Sequence, residues 1–420
     1  MQKSLLPSAP AAAVGAATPA AGAGASPAVA FPILLGLSAA HLLNDMMQSL
    51  VPSIYPIIKG AYALDFAQIG MITFVFQLTA CIFQPVVGWY NDTSPQRYSA
   101  VAGMAFTLVG LITLGLANGY GLLLVGAALV GTGSAIFHPE ATRMARQASG
   151  GQHGLAQSLF QVGGQSGAAA GPLLAAFIVV PAGQRSLVWL SALALLAMAV
   201  LYQVVRMSSS AGGAGRTKAK IKAPATATGA LSEREVMFAI AILVILMFSK
   251  NAYSASINSF YTFYLIETFK IPVQTSQMML FLFMASTAIG TLVGGLLGDR
   301  IGRRRIIWFS ILGALPFTLL LPHANLFWTG VLTVFISLIM ASAFGAMLVY
   351  AMELLPARIG LVAGLFYGLS FGLGGIAAAL LGRLADATSL TLVYHLCAFL
   401  PAIGLLAWLL PEIGGRQRGA

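Results

Sequence analysis

Apolar runs long enough to cross a bilayer recur along almost the whole chain, divided by short polar breaks. They fall at about 31–58, 66–89, 97–118, 121–142, 154–180 and 185–206, and again at about 235–266, 274–298, 305–322, 325–352, 358–383 and 389–410. Each has the roughly 20 residues that a membrane helix needs, rather than the ten-residue alternation of a membrane barrel. The pattern predicts an all-α membrane protein of twelve transmembrane helices, six on either side of a long break. That break, 207–234, is polar and basic, with Arg216, Lys218, Lys220 and Lys222, and reads as a cytoplasmic linker. The expected organisation is a disordered tail at 1–30, a first bundle at 31–206, the linker, a second bundle at 235–411 and a tail at 412–420. The first tail is mostly Ala, Pro and Gly, and it lacks the compact apolar core and cleavage site of a signal peptide.

Composition supports this pattern. Of 420 residues, 58% are hydrophobic and 8% charged, against a usual charged share of about a quarter; mean hydropathy is +0.88. The net charge of +11 does not point to nucleic acid, because the basic residues sit in short loops between spans. With the amino terminus inside, seventeen of them fall on the cytoplasmic side and four on the other. This asymmetry predicts both termini in the cytoplasm. Cys81 and Cys397 each lie inside an apolar run, which favours packing over a disulfide, a metal site or a nucleophile.

The first run carries polar residues at mid-span. His41 and Asp45 are four apart, as are Asn44 and Gln48, so on a helix they share one stripe. An ionisable group at mid-bilayer costs roughly 2.5 to 3.5 kcal/mol, so Asp45 is expected to face a bundle interior or a wet cavity. A buried structural hydrogen bond is the plainer alternative. The second half carries related features. Asp45 and Lys250 are offset by 205 residues, Glu140 and Glu353 by 213, and Asp92 and Asp299, each preceded by a glycine four residues earlier, by 207. These similar offsets describe a repeat, the plan of many secondary transporters, with a substrate site between the halves at the midplane.

The segment 295–305, Gly-Leu-Leu-Gly-Asp-Arg-Ile-Gly-Arg-Arg-Arg, resembles the loop signature of the major facilitator superfamily. The copy at Gly88 to Asp92 is degenerate, with Thr93 and Pro95 where the signature has arginine and glycine. Span five carries Gly163, Gly164, Gly167, Gly171 and Pro172, similar to the signature of that superfamily's antiporters, although small residues at this spacing also serve plain helix packing. In span four, Ala127 stands where proton-coupled members usually have arginine. A narrower resemblance is carried by 38–45, by Phe137-His138-Pro139-Glu140, by 153–164, by Phe248-Ser249-Lys250, by 261–264 and by 350–356. Through these segments the chain resembles the fosmidomycin resistance family of that superfamily. The resemblance implies the superfamily fold of two pseudo-symmetric six-helix bundles, a bacterial inner-membrane location, and efflux of fosmidomycin and other small drugs by proton antiport.

On that reading Asp45, Glu140 and Glu353 are the candidates for proton coupling. His41, Asn44, His138, Gln161, Lys250, Tyr253 and Tyr261 are the candidates for binding an anionic phosphonate, and Asp92, Asp299 and Arg143 those for gating. Asp45 is expected to hold Lys250 when deprotonated and to release it on protonation. Glu140 is expected to pair with Arg143 at three-residue spacing. Pro139 could bend its turn and aim both His138 and Glu140 into a cavity. A metal site at His138 and Glu140 lacks further ligands at sensible spacing, and no cofactor, metal or nucleic acid is expected; partners are protons, the drug and the lipid bilayer, with the chain working as a monomer. A proton symporter importing a small organic anion is the alternative, and no nucleophile, base and orienter stand at a spacing that suggests an enzyme.

Overall fold

A computed structural model of the chain describes residues 29–94, 96–150, 152–210, 232–355 and 359–412; for 88, 89, 91–93, 153, 154, 210, 294–301, 359–361, 363, 364 and 367 it describes the backbone alone. Every regular element among the described residues is helical. In chain order these are α1 (Phe31–Ser53), α2 (Tyr55–Tyr62), α3 (Phe66–Thr93), α4 (Ser99–Leu116), α5 (Tyr120–Ala148), α6 (His153–Leu174), α7 (Val180–Ala182), α8 (Ser186–Leu190) and α9 (Ala192–Ser210) in the first half. The second half holds α10 (Glu233–Phe269), α11 (Val273–Ile301), α12 (Arg303–Leu312), α13 (Leu315–Leu320), α14 (Leu326–Ala341), α15 (Ala343–Leu354), α16 (Ile359–Ala387) and α17 (Leu390–Cys397), followed by a 3-10 segment at Leu400–Leu409. Most of the expected tails and linker lies outside the described residues.

Eleven helical segments among the described residues are long and apolar enough to cross a membrane. Of the spans expected from the sequence, α1 is absent from these eleven; at 23 residues it is long enough, and its His, Asn, Asp and Gln lower its hydropathy. Its run also differs from expectation in being broken. The chain turns at Ile54, between Pro52 inside α1 and Pro56 at the start of α2, because prolines remove the amide donors that would continue one helix. The span expected at 154–180 is interrupted too, by a π turn at Ala175–Val179 after Pro172. Side chains such as Trp189, Phe327 and Trp408 are more than 60% exposed, an outward apolar surface that suits hydrocarbon.

Each half packs mostly on itself, α1 against α6, α9 and α5 and α10 against α16 and the 3-10 segment. The halves meet along α3 with α16 and α6 with α11. The α1–α6 seam is the tightest determinant of the site. A Cβ at Gly163, Gly167 or Gly171 would fall inside contact distance of α1, at Ser38, Leu42 and Ser49 respectively. The glycine series of span five is therefore what lets the two helices touch backbone to backbone.

Candidate functional site

The stripe on α1 forms as its spacing predicts. Asp45 Oδ2 lies 3.3 Å from His41 Nε2, one turn earlier. Asn44 Nδ2 donates to Asp45 Oδ1 at 2.9 Å and Gln48 Nε2 at 3.4 Å. The fold then adds a residue from a second helix: His138 of α5 places Nε2 3.5 Å from Asp45 Oδ1. Helix α5 runs unbroken through Pro139, and His138 and Glu140 take different directions. His138 reaches α1, whereas Glu140, 2% exposed, pairs with Arg143 through Nε at 3.0 Å and Nη2 at 2.5 Å.

The far nitrogen of each histidine is fixed by a backbone carbonyl. His41 Nδ1 lies 2.8 Å from the Phe160 oxygen on α6, and His138 Nδ1 lies 2.9 Å from the Ser134 oxygen. A carbonyl can only accept, so both Nδ1 atoms carry hydrogen and both Nε2 atoms face the carboxylate. With neutral rings, two nitrogen lone pairs would confront an anion. The geometry therefore suits at least one proton on Nε2, which turns a repulsive contact into a charge-assisted hydrogen bond. The same three groups present ligand atoms within 4.8 Å of one another, close enough for a small cation. No third ligand stands near His138 and Glu140 along the chain; the fold supplies partners from α1 instead. His41 is held further by stacking on Phe160, with ring centroids 4.0 Å apart. Gly164 lies against the cluster, where a Cβ would sit 2.5 Å from His41 Nε2 and 2.8 Å from Asp45 Oδ2.

The expected Asp45–Lys250 pair is not formed. Asp45 is bonded within the first half, and Lys250 on α10 directs Nζ over the Phe344 ring of α15, 5.6 Å from its centroid. No carboxylate stands within ion-pair distance of Lys250 among the described residues. The reason is local: two imidazoles and two amides already surround the carboxylate, and α1 packs on its own half rather than on α10. Next to Lys250, Asn251 is 6% exposed and accepts from Ser370 Oγ at 3.3 Å, while its Nδ2 has no partner among the described residues; nor has Asn44 Oδ1. Sequence reading missed Asn251, since only the fold sets it beside Ser370.

The remaining candidates lie elsewhere. Tyr253 and Tyr261 are buried in the second half, and Tyr261 Oη bonds Thr333 Oγ1 at 2.7 Å. Gln161 is half-buried on α6, beside Phe160. Glu353 pairs with Arg303 at 2.8 Å. The side chains of Asp92 and Asp299 lie outside the described residues.

Two helical halves that meet along a pair of seams, each with a titratable group inside a membrane-length helix, have the architecture of a membrane transporter. A model of the Major Facilitator Superfamily matches residues 37–260 and again 251–418, and the chain belongs to that superfamily. It is 53% identical over 397 residues to the fosmidomycin resistance protein of Escherichia coli (strain K12), covering 94% of this chain and 97% of that protein. It is 39% identical over 383 residues to an uncharacterized MFS-type transporter, YfnC, of Bacillus subtilis (strain 168), covering 91% and 93%. Among solved structures, a bacterial homologue of the human lysosomal transporter Spinster superposes with a TM-score of 0.74 at 14% identity, over 92% of this chain and 98% of that one. The nucleoside transporter NupG gives 0.70 at 14% identity, over 90% and 98%; at such identities these two likenesses concern the fold alone. The chain is a multi-pass membrane transporter of this superfamily.

Proposed function

We propose that this transporter exports fosmidomycin-like phosphonates across the bacterial inner membrane in exchange for protons, as a monomer with both termini in the cytoplasm. The observation that carries the reading is the His41–Asp45–His138 cluster, whose two Nδ1–H···O=C bonds leave both Nε2 atoms facing one carboxylate. Such a cluster can hold a proton between imidazole and carboxylate. Lys250, with no carboxylate within ion-pair distance among the described residues, is the complementary feature: a cation that suits the anionic end of the drug. The 53% identity to a fosmidomycin resistance protein supports the substrate.

The two halves rock against each other, opening the site to one side and then the other. The drug's anionic end docks at Lys250, and a donor group at its other end hydrogen-bonds to Asp45 in place of imidazolium. Proton and drug then exclude each other at one carboxylate, which is the requirement for exchange. A molecule that brought only negative charge would instead bind together with the proton, the behaviour of a symporter. Inside-out vesicles distinguish the two. With an acidic interior they should accumulate fosmidomycin, and an uncoupler should abolish this; accumulation driven by an acidic exterior would establish import with protons and refute the reading.

A further inference from the structure

At one end of the molecule the halves are joined by a contact that neither the motifs nor the proton cluster explains. Helix α3 begins after Asp65, and a helix start leaves four amide hydrogens without intrahelical acceptors. Here all four are accounted for. Asp65 N donates to Gln68 Oε1 at 3.0 Å and Gln68 N to Asp65 Oδ1 at 2.6 Å, a reciprocal cap within the first half. The other two cross to the second half: Phe66 N donates to Asp386 Oδ1 at 2.8 Å and Ala67 N to Asp386 Oδ2 at 2.7 Å. Asp386 stands at the end of α16, so one carboxylate caps the helix of the opposite half with both oxygens, where the helix dipole favours an anion.

The seam beneath this cap is graded. Gly375, Ala378, Gly382 and Asp386 recur on one face of α16. A Cβ at Gly382 or Gly70 would fall inside contact distance of backbone across the seam, at Phe66 and Ala378. Further along, a Cβ at Gly375 would stand 3.3 Å from Gln77 Cβ, one at Gly372 would stand 3.5 Å from Cys81 Sγ, and one at Gly368 would stand 3.7 Å from it. The tightest backbone-to-backbone approaches thus lie at the Asp386 end; further along, the close neighbour is the Gln77 side chain, whose Oε1 would stand 2.5 Å from a Cβ at Gly374. Other cross-half contacts gather at the same end: Gln277 Nε2 to the Ser53 oxygen at 2.7 Å, Thr73 Oγ1 with Ser259 Oγ at 3.0 Å, and the Phe66 ring edge-on to Phe263 at 5.4 Å.

We propose that Asp386 is the gating residue of this mouth: its carboxylate, lodged on the first turn of α3, holds the two halves closed there, and each transport cycle breaks and remakes that contact. Its place is set by α16 and its target by the Asp65–Gln68 cap, which occupies the neighbouring amides and leaves only those of Phe66 and Ala67 to the other half. Asp386 touches no candidate substrate or proton group, so it acts through helix position alone.

The test uses spin labels at Ala61 and Thr388, both exposed, on full-length protein with Cys81 and Cys397 replaced by serine. Pulsed electron resonance should find a short, narrow distance with Asp386 intact. Asp386→Ala should raise the population of longer distances about tenfold, the scale expected for losing charge-assisted hydrogen bonds at a water-exposed site. Asp386→Asn should fall between and Asp386→Glu should restore much of the closed state, while drug affinity in detergent stays within about twofold and transport rate drops. Should Asp386→Ala fail to fold, the Asn and Glu variants carry the same comparison. A distance distribution in the Ala or Asn variant identical to that of the parent would overturn the proposal, as would loss of drug binding in parallel with transport.

Discussion

The two halves of this transporter place polar residues at comparable depths and treat them in opposite ways. In the first half, Asp45 is enclosed by His41, His138, Asn44 and Gln48, and each histidine is tied to a backbone carbonyl. In the second, Lys250 has an aromatic ring for a neighbour and no carboxylate within ion-pair distance among the described residues. A buried charge is tolerated when it is paired and hydrogen-bonded and is costly when it is not. The first half has thus built a self-contained cluster, and the second holds a half-buried cation that, on the proposed function, meets its counter-charge in the ligand. Pseudo-symmetry of fold therefore does not extend to chemistry. On the proposed function, one half handles the proton and the other the anion.

The comparison can be broken most severely at Asp45. Asp45→Asn should lower proton-driven drug accumulation in vesicles by on the order of 100-fold, the scale of a lost proton-transfer group, while drug binding persists. Full accumulation in this variant would remove the cluster from the mechanism. Lys250→Gln should act on the other side, weakening drug binding by about 10- to 100-fold, as expected for a lost hydrogen bond to a charged group. Lys250→Arg should keep more of the affinity, and calorimetry on purified protein separates the two variants from the parent. Equal affinities would place the anion elsewhere.

Gly164→Ala sharpens the contrast structurally. The added methyl meets the His41 ring and the Asp45 carboxylate, so it should cost about 1 to 3 kcal/mol by overpacking, read as a lower melting temperature together with lost coupling. Ala at Gly345, where a Cβ meets open space, should leave both unchanged. The smallest effect is expected at Tyr261. Tyr261→Phe removes the bond to Thr333 and should cost about 1 kcal/mol of stability with unaltered drug affinity; a loss of affinity would show that this tyrosine meets substrate after all.

Much of this was legible in the letters, for reasons that differ by residue. The spans were readable because a bilayer demands long apolar runs, and the α1 stripe because side chains four apart on a helix must meet. The break at Ile54 was less so, since membrane helices tolerate proline and its presence in an apolar run does not by itself mark a turn. The pairing of Asp45 with Lys250 was inferred from their matched positions in the repeat, and it failed because repeat position fixes depth but not the local partners that compete for a charge. His138 could not be sent to α1 from spacing alone; that depends on how α5 packs beside α1. The glycines of α6 were visible as a motif, but Gly164 became specific only once the His41 ring was seen against it. Asp386 carried no signal in the sequence, because a cap that joins two helices more than 300 residues apart has no local pattern.

The most direct measurement is the proton released when drug binds. Purified protein in weakly buffered detergent solution, mixed with saturating fosmidomycin, should release close to one proton per molecule, and Asp45→Asn should bind the drug yet release none. Proton uptake on binding, or release unchanged in the Asn variant, would contradict the assignment of the proton to the His41–Asp45–His138 cluster.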